Sequence, residues 1–143
     1  MTLTAQFYTN DSIVSMFRDS LNNYRKSLSL NKVSLEPKYK NFVDRHSSYQ
    51  AKMNYVTHGE ESFSFENRAN SEPSLRNLEC QENCTVVLID LSNTSEFISS
   101  QIFRHFKNSK PHNAGLINPN FNKMYLSCYK KGEYVFVTLL LSE

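Results

Sequence analysis

The chain has 143 residues, 39% of them apolar, with 10 Phe and 8 Tyr, and a formal net charge of +2 from 16 Lys and Arg against 14 Asp and Glu. That length suits one domain over 1–143, with 1–10 a flexible lead-in, and the apolar content excludes a disordered chain. Both charge signs alternate without a block of either, which excludes a nucleic-acid footprint, and no apolar run approaches a transmembrane segment.

Residues 1–10 lack a charged n-region and an apolar h-region, so no signal peptide is visible. Two readings stay open: a cytoplasmic protein, or an exported one without its leader. Asn10 or Asp11 can cap a first helix, where Ile13, Phe17, Leu21 and Tyr24 recur every three or four residues. Leu21 and Tyr24 read as core; Asn22 and Arg25 read as polar flank. Pro37 suits the first turn of a second helix. Tyr39, Phe42, Val43, His46, Tyr49, Gln50 and Met53 make its inner face. That helix is expected to end near Val56 and deliver His58 just beyond it. His46 reads as a hydrogen-bonded core histidine.

The stretch 62–66, Ser-Phe-Ser-Phe-Glu, alternates as a short strand would. Residues 70–77 are polar, contain Pro73 and read as a loop. A short helix is expected over 82–88, with Glu82 at its start complementing the helix dipole. Asn93 and Glu96 form a capping-box variant. It precedes a helical stripe of Phe97, Ile98, Ile102, Phe103 and Phe106, which Pro111 stops. A hairpin closes the chain: strand 124–129, turn 130–132, strand 134–141. The second strand is apolar at almost every position, so both of its faces are covered. Helices on both sides of a small antiparallel sheet satisfy that, giving an α+β fold of α-β-α sandwich type.

The cysteines Cys80, Cys84 and Cys128 are odd in number, so at most one internal bridge can form. Cys80 and Cys84 are four apart, and a bridge between them is open but not favoured. A thiol nucleophile working with His58 or His112 also stays open, though no local protease signature accompanies it. The chain has no Gly-rich phosphate loop, no Gly-x-Ser-x-Gly and no His-Glu-x-x-His.

Three segments in fixed order remain: Tyr55-Val56-Thr57-His58-Gly59, Gln81-Glu82-Asn83, and 108–121, Asn-Ser-Lys-Pro-His-Asn-Ala-Gly-Leu-Ile-Asn-Pro-Asn-Phe. The last resembles Trp-x-Asn-Ser-Pro-Gly-His-Arg-x-Asn-Ile-Leu followed by Asn-Pro-x-Phe. Leu21-Asn22-Asn23-Tyr24-Arg25 and Glu66-Asn67-Arg68-Ala69 add to it. Together they resemble the CAP superfamily (cysteine-rich secretory proteins, antigen 5, pathogenesis-related 1) in its short bacterial form. The resemblance implies the same sandwich and one cavity lined by His58, Glu82 and His112. Asn108 stands as a cavity neighbour where longer members carry a second glutamate, and Phe106 stands for the tryptophan. Two further departures are Lys110-Pro111 for Pro-Gly and Tyr125-Leu126-Ser127 for Gly-Val-Gly.

Two imidazoles and a carboxylate can hold Zn²⁺ or serve as general base and acid. The missing carboxylate at Asn108 points to weak or absent metal binding, with zinc, copper or nickel ahead of calcium or magnesium. The resemblance favours a secreted or surface-anchored protein acting by binding a host or matrix protein, an envelope molecule or a lipid. The alternative is a metal-assisted hydrolase or protease using His58, Glu82 and His112. No dedicated nucleophile or oxyanion loop is present, so binding is the expected function.

Overall fold

The computed structural model describes residues 6–7, 11–89 and 94–143. Asn10 and Asn93, both read as helix caps, lie outside the described residues. The elements run β1 (Gln6–Phe7), α1 (Asp11–Ser27), β2 (Ser34–Leu35), a 3-10 turn (Pro37–Tyr39), α2 (Lys40–Met53), α3 (Phe65–Asn70), β3 (Cys80–Leu88), α4 (Ser95–Lys107), α5 (Lys110–Leu116), β4 (Lys123–Lys131) and β5 (Tyr134–Ser142). The strands form one sheet in the order β1-β4-β5-β3, and β2 pairs with β4. Among the described residues only the β2–β4 pairing is parallel.

The period of two along β5 explains its continuous apolarity. Val135, Val137, Leu139 and Leu141 point to one core with Ile13, Phe17 and Leu21 of α1 and Ile98, Ile102 and Phe106 of α4. Leu140 points the other way, to a smaller core of Tyr39, Val43, Ala69 and Leu75. Helices therefore cover both faces of the antiparallel strands, which is the expected α-β-α sandwich. Each fully buried Leu, Ile or Phe contributes about 1.5–3 kcal/mol. The face under α2 is polar at its centre. There Ser47 Oγ donates to Thr138 Oγ1 at 2.9 Å, and Gln50 Nε2 donates to the same oxygen at 3.2 Å.

Several local expectations are corrected. Residues 80–88 form strand β3, not a helix, because β5 offers an edge and pairs with it from Cys80↔Ser142 to Leu88↔Tyr134. Glu82 is therefore on a strand and caps no helix. Residues 62–66 are not a strand: Ser64 caps α3 through a capping box with Asn67, and that local signal outweighs the two-residue alternation. Arg25 is not polar flank but wholly buried, and Met53 is 41% exposed rather than core. Ser47 and Ala51 take the inner positions of α2 instead. Pro111 lies in the first turn of α5, where its missing N–H has no partner to lose. None of the three cysteines forms a disulfide. Cys80 and Cys84 lie on one strand, roughly 13 Å apart at their α-carbons by strand rise. No described helix is long and apolar enough to cross a membrane.

Candidate functional site

The site starts at the end of α2. Asn54 takes the left-handed conformation (φ 62°, ψ 33°), and its N–H donates back to the helix. The chain reverses there. Gln50 Oε1 then accepts from the Thr57 N–H at 3.2 Å, and His46 Nε2 donates to the Thr57 carbonyl. These two buried side chains of α2 fix the loop that carries His58. The expected core role of His46 is thus correct, but His46 also reaches the site.

Glu82 projects from β3 with its carboxylate fully buried. Arg68 of α3 donates through Nη2 to both oxygens at 2.7 Å. The same guanidinium donates to the His58 carbonyl, from Nη2 at 2.7 Å and from Nε at 3.3 Å. It lies over Phe42 and Phe65, 5.1 and 5.7 Å from their ring centres, and its side chain is only 7% exposed. His58 Nδ1 is 3.1 Å from Glu82 Oε1, and His46 Nε2 is 3.6 Å from the same oxygen. Behind His46, its Nδ1 faces Glu60 Oε1 at 3.4 Å, and Arg45 pairs with the other Glu60 oxygen at 3.3 Å. Cys84 Sγ lies 3.7 Å from His58 Nδ1.

The structure joins His58 to Glu82 directly. His112 sits on α5, half-buried, with its ring edge against Phe106 at 5.2 Å. Asn83 Nδ2 donates to the His112 carbonyl at 3.0 Å, which ties α5 to β3. Burial lowers the pKa of His112, and the charge of His58 lowers it further, so the two imidazoles sense each other. Asn108 is exposed at the C-cap of α4. Neither His112 nor Asn108 lines the pocket of about 570 Å³ beside His58, whose walls include Ser64, Phe65, Cys80 and Gln81. A second pocket of about 390 Å³ lies between α2 and α3, also against Arg68.

The electrostatics follow from burial. Desolvation alone would raise the Glu82 pKa, but the hydrogen bond from His58 and the neighbouring His46 ring and Arg68 guanidinium outweigh it, leaving the carboxyl below its ordinary value. Burial, reinforced by Glu82, pushes the Cys84 thiol well up, so it is protonated at neutral pH and is no nucleophile. A depressed carboxyl contributes stability above its unfolded value, about 4.3, which is lost as pH falls through the folded value. The melting temperature is therefore expected to drop on acidification below that range. Glu82→Gln should flatten this acid limb in thermal melts from pH 7 to pH 2, and an unchanged limb would contradict the assignment.

The sequence matches the model of the cysteine-rich secretory protein family, CAP, over residues 18–141. The chain belongs to this family. No curated protein matches it. An outer surface protein from Borrelia burgdorferi has the same fold, with a TM-score of 0.81 at 13% identity over 98% of each chain. An extracellular protein containing a SCP domain from Bacillus anthracis gives 0.69 at 16% identity, over 93% of this chain and 41% of that one. NaASP2 with Zn²⁺ gives 0.63 at 10% identity, over 92% and 80%. At these identities the likeness is one of fold.

The family resemblance raises zinc, so the donors of this CAP protein must be weighed. Ligand atoms of His46, Glu82 and Cys84 lie within 4.8 Å of one another. Yet Arg68 caps both Glu82 oxygens, Cys84 carries its proton, and His46 Nε2 donates to a carbonyl. As folded, these residues do not fit a metal ion. What the site offers instead is an oriented imidazole. With a carboxylate accepting at Nδ1, His58 leaves Nε2 for the pocket, and its side chain is 52% exposed.

Sequence reasoning names Arg68 only as a motif residue and His46 only as core, and it gives Glu60 no role. Nothing local marks the meeting of Arg68 and His46 at Glu82, with Glu60 behind His46, because they arrive from α3, α2 and the loop after α2.

Proposed function

We propose that this CAP protein is exported and acts by recognition, binding a protein ligand through the apolar segment that also carries His58. One observation carries this reading. Among the described residues, Met53, Tyr55, Val56 and Phe63 are 41, 50, 40 and 56% exposed, all on the short stretch from the end of α2 to the start of α3. Large apolar groups held in water on the segment bearing an oriented imidazole are what a binding surface requires, with aromatics as its anchors. The extracellular and outer-surface relatives support export. A panel of extracellular-matrix and serum proteins, with lipid vesicles as the competing ligand class, tests it on a biosensor. Replacing both anchors, Tyr55→Ser with Phe63→Ser, is expected to weaken binding of that protein by more than about tenfold. Binding to vesicles alone would replace the protein ligand by a lipid.

A second reading is hydrolysis with His58 as general base. It is favoured by the Glu82–His58 contact, which orients an imidazole toward a pocket. Turnover of a peptide, ester or phosphoester that disappears in both His58→Ala and Glu82→Gln, while these stay folded, would establish it over recognition.

A further inference from the structure

We propose that Arg68 is a built-in cation that blocks a latent zinc site formed by His46, His58, Glu82 and Cys84. This set differs from the cavity trio implied by the family motifs. It takes in two residues, His46 and Cys84, that those motifs leave out, and it does without His112.

The donor spacing is the first argument. A tetrahedral zinc ion with bonds of about 2.0–2.3 Å holds its ligand atoms about 3.3–3.8 Å apart. Here ligand atoms of His46, Glu82 and Cys84 already lie within 4.8 Å of one another, with His46 Nε2 3.6 Å from Glu82 Oε1. His58 Nδ1, 3.1 Å from Glu82 Oε1 and 3.7 Å from Cys84 Sγ, stands outside that group and completes the set only by shifting toward it. Two imidazoles, a thiol and a carboxylate suit zinc in chemistry as well as number. A supporting carboxylate is also in place. Glu60 Oε1 faces His46 Nδ1 at 3.4 Å, ready to accept a hydrogen bond from Nδ1 once the ring proton sits there and Nε2 turns to a metal.

The second argument is what fills the set now. Arg68 Nη2 sits 2.7 Å from both Glu82 oxygens, where an ion bound to that carboxylate would have to approach. The guanidinium is held there by Phe42, Phe65 and the His58 carbonyl, so it cannot swing aside cheaply. A divalent ion must either displace it or accept its repulsion in a nearly dry site. On entry, zinc would also release the Cys84 proton to solvent. The folded wild type is therefore closed to metal, and the His58 imidazole is kept for other partners. This holds whether His58 serves recognition or hydrolysis.

Arg68→Met keeps the stem over the two phenylalanines and removes the charge. It is expected to bind one Zn²⁺ at least about 100-fold tighter than wild type, a difference near 2.7 kcal/mol. Titration calorimetry reads the affinity. Cobalt substitution should show a thiolate-to-metal charge-transfer band that is lost when Cys84→Ser is added. Zinc should also raise the melting temperature of Arg68→Met and leave wild type unchanged. If Arg68→Met does not fold, Arg68→Gln retains a donor for the His58 carbonyl without charge and carries the same criteria. Wild type binding zinc as tightly with a Cys84 signature, or a folded uncharged variant binding none, would overturn the proposal.

Discussion

Arg25→Met is expected to lower the melting temperature by about 10–20 °C, from a loss of about 3–5 kcal/mol. Arg25 is fully buried at the end of α1. No carboxylate pairs with it among the described residues. Four backbone carbonyls do: Nε donates to Asn31 at 2.7 Å, Nη1 to Leu116 at 2.8 Å and Asn118 at 3.0 Å, and Nη2 to Phe121 at 2.9 Å. A buried cation is tolerable here because these carbonyls include the negative end of α5 and the turn after it. Burial lowers the pKa of Arg25, but from so high a value that it stays charged at neutral pH. Removing the guanidinium strands buried acceptors, each costing about 1–3 kcal/mol where water cannot reach. Arg25→Lys should restore less than half, because one ammonium cannot reach a fork of four carbonyls. The clasp also fixes the chain just after α5, the helix of His112. Faster amide exchange across 116–121 in Arg25→Lys, with the α1 core still protected, would show the clasp acting locally. A melt unchanged by Arg25→Met would refute the clasp.

Arg25 also marks what can be read in the sequence. Ile13, Phe17 and Leu21, and likewise Ile98, Ile102 and Phe106, announce their helices because a stripe at helical spacing is local information. The continuous apolar run in β5 announces a strand covered on both faces for the same reason. Arg25 misleads because its partners lie 6 to 96 residues away. A polar side chain beside a stripe looks solvated until those carbonyls arrive. The helical reading of β3 fails for a similar cause. Gln81, Glu82 and Asn83 match no strand pattern, and Glu82 and Asn83 are buried only because Arg68 and the His112 carbonyl satisfy them. In α3 the signal is local but altered: Asn67 replaces the usual Glu or Gln of a capping box, and the alternation of Phe63 and Phe65 masks it.

For the site, the motif order is enough to pair His58 with Glu82. It does not say how the carboxylate is neutralised, and that choice decides the chemistry. Asn108 is expected from the motif to matter as a missing ligand. It stands exposed at the end of α4 and is not among the residues lining the pocket beside His58. The position that governs the charge of this site is Arg68, on the six-residue helix α3 that the sequence pattern conceals.

Glu82→Gln and Arg68→Met should each destabilise the protein by about 3–5 kcal/mol, and together by clearly less than the sum. The Glu82 carboxylate is fully buried and the Arg68 side chain is 7% exposed, so solvent screens the pair little. Each single change leaves one charge without its partner. In Glu82→Gln the guanidinium keeps the His58 carbonyl and its two aromatic contacts but has no anion, and it cannot lose its proton. In Arg68→Met the carboxylate keeps only the imidazole contacts, and burial then drives it toward its neutral form. The double variant buries an amide beside a thioether, with no charge to solvate. A double-mutant cycle by urea denaturation should therefore give a coupling of about 2 kcal/mol or more between the two positions. Near-additive losses would mean that the pair is incidental to the fold and that Glu82 is neutralised mainly by its histidines. The same cycle repeated with His58→Ala in place of Arg68→Met separates those contributions. Its coupling is expected to be the smaller, because His58 is half exposed and meets Glu82 through one contact at 3.1 Å, where Arg68 makes two at 2.7 Å.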